Sequence, residues 1–315
     1  MHDTDMTVTT DDGTALAGTL TLPTGPGPHP AVLLLHGSGP LDRDGNTRKV
    51  PVNLGPPLAE ALAAAGIATL RYDRRGVGAT PGTWRASGFT DNYQDAATAL
   101  LALAAHPAVR PEAVGVVGHS EGALHAMALA ARHEVRAAVL LAGYARTGEE
   151  ALRWQARSIA EGLPAPVRLL RGPLGALGNR ALARVRKTRT DVARIAGLPV
   201  NARWMRENLA HDTRDDLVAI HAPVLAVTGA KDIQVDPADL DEIHRLVPGS
   251  TEVHRLPDLT HVLRPDPGHH TLRSYRRLLR GPVDPGVLAL VTTWLTRRLD
   301  PSPGQPLAEE RTSSA

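Results

Sequence analysis

The sequence contains no cysteine. This absence excludes disulfide bonds, thiolate metal sites and cysteine nucleophiles. Aromatic residues make up only 3% of the chain, so the core and any pocket must be built mainly from Leu, Val and Ala. The longest apolar runs, such as Ala31 to Leu35, are far too short to cross a bilayer. We therefore expect no membrane-spanning segment.

The chain also has little net charge, since 35 basic residues nearly balance 33 acidic ones. A formal charge of +2 gives no reason to expect a nucleic-acid partner. The residues from Met1 to Asp5 are polar and acidic, and they lack the basic and apolar regions of a signal peptide. We therefore predict a cytoplasmic protein that acts on a small molecule. A homodimer is compatible with these features, which do not decide the oligomeric state.

Strand and helix patterns alternate along most of the chain. The unbroken apolar run from Pro30 to Leu35 is typical of a central strand that is buried on both faces. Alternation of this kind predicts an α/β fold with a mostly parallel sheet, helices on both faces and right-handed crossovers. We predict two strands within 6–22, further strands at 67–72, 114–117, 137–141, 223–228 and 251–256, and helices at 54–65, 93–105, 123–132 and 287–299.

Residues 145–216 interrupt this alternation. The segment is rich in Arg, carries Gly and Pro at two places, and has apolar positions at helical spacing. We predict that it forms a helical cap over a core made of residues 1–144 and 217–300. Residues 301–315 are polar and without periodicity, and they are predicted to form a disordered tail.

The strongest chemical signal is the motif Gly118-x-Ser120-x-Gly122 between a predicted strand and a predicted helix. This context is typical of a nucleophile elbow, where a serine in a strained turn exposes its hydroxyl above the strand ends. Side chains at the two glycine positions would collide with the neighbouring strand and helix. A chance match of the bare motif is common, but its flanking strand and helix favour Ser120 as a nucleophile.

A serine nucleophile needs a base and an acid that orients the base, and behind such an elbow they follow in the order Ser, acid, His. Asp232 comes directly after the predicted strand 223–228, at its carboxyl end. Asp236 competes with it but lies a full turn further on, where it would cap the next helix. We predict that Asp232 is the acid.

The base must be chosen by position, because the chain has 14 histidines. His261 falls in the loop after the predicted strand 251–256, where an imidazole could reach Ser120. His244 and His254 lie within the preceding helix and strand, where a structural or exposed role is expected. The remaining candidates are better explained by packing or by solvent exposure: His119, His125, His269 and His270. We predict that His261 is the base.

An oxyanion hole requires two backbone N–H donors. One is predicted at Glu121, the residue after the nucleophile. The other is predicted at Ser38, because the glycines beside it allow the backbone to approach a substrate closely. No His and Asp cluster has metal-ligand spacing and no Gly-rich loop fits a dinucleotide, so we predict no metal and no cofactor.

Charged residues near this site have two interpretations each. Asp73, Arg74 and Arg75 could bind an anion, but ties between neighbouring loops are favoured. Arg43 could contact a substrate carboxylate, or it could form an ion pair that fixes the oxyanion loop. Three apolar residues of the predicted cap also have two interpretations. Trp154, Trp204 and Met205 would line an acyl pocket or pack the cap on the core.

Five segments share their motifs with one group of enzymes: HGSGPLDRDGN at 36–46, YDRRGVG at 72–78, GHSEG at 118–122, GAKD at 229–232 and HVLRP at 261–265. They resemble α/β-hydrolase carboxylesterases of the Thermotoga EstD type, over about residues 6–300 and most weakly in the predicted cap. The resemblance implies an α/β-hydrolase fold, no cofactor, and esterase activity on short or medium acyl chains. It implies a catalytic triad of Ser120, Asp232 and His261. It also implies an oxyanion hole made by the backbone of Ser38 and Glu121.

Together these features predict a serine-dependent acyl hydrolase that cleaves small or medium carboxylic esters through an acyl-enzyme on Ser120. The same triad would also serve a thioesterase, a peptidase, or an acyltransferase or cyclase that acts on a specialised metabolite. A third hypothesis is a non-catalytic binding protein on the hydrolase fold. The intact order of Ser, Asp and His disfavours that hypothesis.

Overall fold

The computed structural model describes residues 1–162, 171–195, 197–268 and 271–299, so the predicted tail lies outside the described residues. The described strands are β1 (His2–Thr9), β2 (Ala15–Leu22), β3 (His29–Leu35), β4 (Ala68–Tyr72), β5 (Val109–His119), β6 (Ala138–Leu141), β7 (Val192–Ile195), β8 (Leu198–Asn201), β9 (Val224–Gly229) and β10 (Thr251–Leu256). The described helices are α1 (Gly55–Ala64), α2 (Phe89–Ala104), α3 (Glu121–Arg132), α4 (Gly148–Glu161), α5 (Arg171–Lys187), α6 (Ala202–Ala210), α7 (Thr213–Leu217), α8 (Asp239–Leu246), α9 (Leu272–Leu278) and α10 (Pro285–Leu299).

Eight of these strands form one mixed sheet in the order β1-β2-β4-β3-β5-β6-β9-β10. The first two strands form an antiparallel hairpin at one edge, and β2 is also antiparallel to β4. All other neighbouring pairs in this sheet are parallel. The prediction of a mostly parallel sheet is therefore confirmed.

The central strand β3 explains why the sheet is covered on both faces. Leu33 and Leu35 belong to one buried cluster, while Val32 and Leu34 belong to another. Successive side chains of a strand point to opposite faces, so the continuous apolar run fills two separate core layers. Complete burial of one Leu side chain stabilises the folded state by roughly 1.5–3 kcal/mol. This burial fixes the strands whose ends carry the site.

The parallel strands bring their carboxyl ends to one edge of the sheet. There β3 ends at Leu35, β5 at His119, β9 at Gly229 and β10 at Leu256. Each end is followed by a loop in which the sequence predicted a functional residue. The topology therefore collects residues that are far apart in sequence above a single sheet edge.

The described part of the segment between β6 and β9 contains helices α4, α5, α6 and α7, but it is not helical throughout. Strands β7 and β8 pair as an antiparallel hairpin, with Val192 opposite Asn201 and Ile195 opposite Leu198. Gly197 makes its turn with φ of +81°, a backbone conformation that glycine adopts without steric cost. The boundaries of the cap at 145 and 216 stay predictions.

Candidate active site

Ser120 occupies the sharp turn between β5 and α3. Its φ of +56° and ψ of −122° are strained for a residue with a side chain. The Ser120 N–H donates to the carbonyl of Leu141 in β6 at 2.8 Å, which holds the turn against the neighbouring strand. This is the backbone geometry that the elbow motif predicts.

The glycines of the motif are required by close backbone packing. A Cβ at Gly118 would overlap the carbonyl of Gly122, and a Cβ at Gly122 would overlap the carbonyl of Leu35. A Cβ at Gly37 would lie 3.3 Å from the Cβ of Ser120. The loop after β3 therefore passes directly beside the serine.

Ser120, His261 and Asp232 form one hydrogen-bonded chain. Ser120 Oγ lies 3.1 Å from His261 Nε2, and His261 Nδ1 lies 2.8 Å from Asp232 Oδ2. The Asp232 side chain is fully buried, and its Oδ1 accepts from the N–H groups of Gln234 and Val235 at 2.7 and 2.9 Å. A carboxylate that accepts these bonds requires the proton on Nδ1 of the imidazole. The lone pair of Nε2 then faces the serine hydroxyl.

The loop that carries His261 is held from two sides. Both the N–H and the hydroxyl of Thr260 donate to the carbonyl of Arg264, at 3.1 and 2.8 Å. His119, next to the serine, donates from Nε2 to the carbonyl of His261 at 2.7 Å. Burial, with a smaller effect from the neighbouring His261, lowers the pKa of His119 to about 3, so the ring is neutral near pH 7. The elbow and the histidine loop are thus joined directly.

The competing acid and base candidates have other partners. Asp236 pairs with Arg146 at 3.0 Å and accepts from the N–H of Ala238 at 3.0 Å. His254 lies 2.6 Å from Glu252 within β10. His269 and His270 lie outside the described residues.

Ser38 and Glu121 line the same cavity as Ser120 and His261. The loop that carries Ser38 is anchored by His36, whose Nε2 donates to the carbonyl of Arg43 at 2.7 Å. Burial lowers the pKa of His36 to about 4, so its ring is neutral near pH 7. Two predicted oxyanion donors and a serine therefore face one space.

Arg43 is engaged within the protein. The Arg43 guanidinium lies 2.9 Å from Asp73 Oδ2, and the backbone N–H of Arg43 donates to Asp73 Oδ1 at 2.7 Å. Asp73 Oδ2 also accepts from the N–H of Ala79 at 2.9 Å. This arrangement is the ion pair predicted as the alternative to a substrate contact, and it ties the loop after β3 to Asp73.

Arg74 ties neighbouring segments together, as the sequence favoured, but the buried charge network that it forms with Glu121 was not predicted. Arg74 lies 3.1 Å from Glu121 Oε1 and donates to the carbonyl of His36 at 2.9 Å. Asn92 and His125 donate to the same carboxylate oxygen at 3.0 and 3.1 Å. Burial alone would raise the pKa of Glu121, but the charge of Arg74 and the His125 hydrogen bond outweigh it and hold the pKa at about 2. Arg74 thereby links the two segments that carry the predicted oxyanion donors.

The cavity above Ser120 has a volume of about 170 Å³. Helices α4 and α6 form its outer wall. Trp204 and Met205 are among its lining residues, whereas Trp154 is not among the described residues that line it. Residues of the predicted cap therefore meet the space in which a substrate would react.

Two features are absent from the described ranges. No group of three or more His, Asp or Glu side chains there is arranged to hold a metal ion. In the same part of the chain, no helix combines the length and the apolar character needed to cross a bilayer.

Two comparisons of the sequence give consistent results. Residues 53–268 match the family model described as serine aminopeptidase, S33, which is more than half of the chain. The esterase EstD of Thermotoga maritima is 28% identical over 285 residues. That alignment covers 90% of this chain and 66% of EstD, so the chain spans less than two thirds of that relative.

Solved structures with low sequence identity share the architecture. Est1E of Butyrivibrio proteoclasticus, solved with ferulic acid bound, superposes with a TM-score of 0.63 at 17% identity, over 93% of this chain and 99% of Est1E. An esterase of Pyrococcus furiosus superposes with a TM-score of 0.60 at 18% identity, over 95% of this chain and 92% of that one. At such identities the likeness concerns the fold alone, and it confirms the predicted α/β-hydrolase fold.

Proposed function

Because the chain belongs to the serine aminopeptidase S33 family of α/β hydrolases, we propose that it is a serine-dependent carboxylesterase with Ser120 as its nucleophile. The observation that carries this proposal is the hydrogen-bonded chain from Ser120 through His261 to Asp232. The similarity to EstD supports ester bonds as the target. A small-molecule ester is the proposed substrate, and the cytoplasmic location and a homodimer stay predictions from the sequence.

In the proposed mechanism, Ser120 Oγ attacks the ester carbonyl while His261 Nε2 accepts its proton. Asp232 orients the imidazole and stabilises the imidazolium. The N–H groups of Ser38 and Glu121 stabilise the oxyanion of the tetrahedral intermediate. The alcohol leaves with the proton from Nε2, and an acyl-enzyme remains. Water then attacks the acyl carbon with His261 as base, and the acid product leaves Ser120 free.

The family description raises a peptidase as the second candidate. An aminopeptidase must bind the protonated amino terminus of its substrate, which requires an accessible carboxylate or comparable acceptor. Among the described residues that line the cavity, Glu121 is the only carboxylate, and it is buried and pairs through Oε1 with Arg74, Asn92 and His125. This arrangement favours ester hydrolysis over aminopeptidase activity.

The proposal is tested with Ser120→Ala against p-nitrophenyl acetate and butyrate. The variant should fold normally and lose hydrolysis, and a fluorophosphonate probe should label the native protein but not the variant. Ser158→Ala, in α4 and away from the cavity lining, is the matched control and should keep both the hydrolysis and the labelling by the probe. Undiminished turnover by Ser120→Ala would refute the nucleophile.

The remaining alternatives are separated by their substrates and products. Parallel assays with acyl thioesters and aminoacyl p-nitroanilides test the thioesterase and peptidase hypotheses. Product analysis with added alcohol or amine detects acyl transfer, because the acyl group would then appear on the acceptor rather than on water. If the protein turned over a thioester, an anilide or an acyl acceptor faster than the simple esters, that activity would take the place of carboxylesterase activity in the proposal.

A further inference from the structure

A second cavity adjoins the proposed site. Its volume is about 330 Å³, against about 170 Å³ for the cavity above Ser120. The two cavities share Ser38, Trp204 and Met205, but among the described residues Ser120 and His261 line only the first. A molecule that reacts at Ser120 could therefore extend past Ser38 into the second space.

The walls of the second cavity are tied together. Asn201, at the end of the β7–β8 hairpin, donates from its side chain to the carbonyls of Trp84 and Ser87 at 2.9 and 2.7 Å. Arg85 lies 4.5 Å from the ring centroid of Trp84, a cation–π contact that restrains the indole. Val200 of the hairpin completes this side of the cavity. The space is thus built from segments that hold one another in place.

The lining favours an uncharged aromatic ligand. Two of the four tryptophans in the chain, Trp84 and Trp204, line this cavity. Arg74 and Arg75 also contribute to it, but Arg74 pairs with Glu121, and Arg75 pairs with Asp95 at 2.7 Å. Their charges are therefore matched inside the protein, while aromatic faces prefer another ring in an offset or edge-to-face arrangement.

The chemistry of the proposed reaction decides which half of an ester enters the second cavity. The leaving oxygen must lie beside His261, because Nε2 returns the proton to it. The carbonyl oxygen must face the N–H groups of Ser38 and Glu121. The second cavity borders Ser38 and is not lined by His261, so it lies on the side left for the acyl group.

We propose that the second cavity binds the acyl half of the substrate and selects a flat, uncharged aryl or arylalkenyl group. This inference rests on the proposed esterase function. A volume of about 330 Å³ accommodates an aromatic ring with a short linker to the carboxyl carbon. Acetate would occupy the reaction site and leave this cavity without a ligand.

The test varies only the acyl group. Hydrolysis of p-nitrophenyl cinnamate and p-nitrophenyl acetate is compared in the native protein and in Val200→Trp, which fills the cavity. The ratio of kcat/KM for cinnamate to that for acetate should fall at least tenfold. Val192→Trp, at an exposed position of the same hairpin and outside the lining, is the matched control and should leave the ratio unchanged.

The outcomes separate the two proposals. Turnover of neither ester by the native protein would refute the esterase function. Turnover of acetate with an unchanged ratio in Val200→Trp would overturn the acyl assignment. The acyl assignment would also be overturned if Val200→Trp lowered kcat/KM for 1-naphthyl acetate relative to that for methyl acetate, because these two esters differ in the alcohol. Should Val200→Trp fail to fold, Trp84→Ala supplies the same test, because removal of the indole should raise KM for cinnamate more than for acetate.

Discussion

Replacement of Arg74 by Met should destabilise the protein and slow its turnover. The guanidinium lies 3.1 Å from Glu121, and the two side chains are only 13% and 3% exposed. Met keeps much of the length and apolar contact of Arg but removes the charge. The Glu121 carboxylate would then be buried without a cation, which costs far more free energy than the loss of an exposed pair.

The magnitude follows from the state of Glu121. Its pKa is held at about 2 against an ordinary 4.5, a difference that corresponds to about 3 kcal/mol of folding free energy. Because the pKa is lowered in the folded state, this stabilisation is complete above pH 4.5 and is lost as the pH falls toward 2. Loss of most of it at pH 7 should lower Tm by roughly 3–5 °C, because an unfolding entropy of about 2.1 cal/mol/K per residue gives about 0.6–0.7 kcal/mol/K for a chain of this length.

Turnover should fall for a separate reason. Arg74 also donates to the carbonyl of His36, two residues before Ser38. Without that bond the loop that carries a proposed oxyanion donor is less well positioned. We expect kcat for p-nitrophenyl acetate to fall about tenfold with little change in KM. Removal of an oxyanion donor itself costs more, about 10²–10³.

A double variant separates the two effects. Arg74→Met with Glu121→Gln leaves no buried unpaired charge, so urea unfolding should show most of the stability restored, while kcat stays low. Arg153→Met, at a pair with Glu149 on the exposed face of α4, is the control and should cost less than about 1 kcal/mol. Native stability in Arg74→Met, or a double variant that loses the sum of the single losses, would refute the reasoning.

Three further predictions concern the acid, the buried histidines and the elbow. Asp232→Asn should lower kcat by about 10⁴ with a near-native Tm, because the imidazole would adopt the wrong tautomer; a loss below tenfold in the p-nitrophenyl acetate assay would contradict the role. Because the pKa values of His36 and His119 are lowered in the folded state, the unfolded chain binds protons at a higher pH than the folded protein does. The stabilisation from these two neutral rings is therefore fully present above pH 6.5, and the free energy of unfolding should fall steeply toward pH 4. Urea midpoints that are equal at pH 7.5 and pH 5 would contradict this linkage. Gly122→Ala should abolish folding or activity because its Cβ meets backbone, whereas Gly178→Ala in α5 meets nothing and should be neutral or stabilising by up to about 1 kcal/mol in thermal unfolding.

Continuous apolar runs made the sheet predictable from the sequence. The strand predicted at 251–256 has those bounds in the structure, although its sequence, TEVHRL, is largely polar. The strand predicted at 114–117 is longer, Val109–His119, because Val109 pairs with His29 before an irregularity and regular pairing with β3 resumes at Val114. The β7–β8 hairpin was missed because each of its strands has only four residues.

The candidate site was predictable where chain order alone selects a residue. Asp232 and His261 each follow a strand at the required edge, and the structure places them in hydrogen-bond contact with one another. The contact of Arg74 with Glu121 could not be predicted in this way. Arg74 follows β4 and Glu121 begins helix α3 after β5, so only the three-dimensional arrangement of these strands brings the two residues together.

The side chain of Asn201 joins three segments around the second cavity. Besides its two bonds to the loop around Trp84, its side-chain oxygen accepts from the N–H of Trp204 and so starts helix α6. One amide therefore fixes the hairpin, the helix and the loop relative to one another, whereas Ser120, Asp232 and His261 follow strands of the main sheet. If the second cavity selects the acyl group as proposed, sequence changes in the hairpin would alter the acyl preference and leave Ser120, Asp232 and His261 in place.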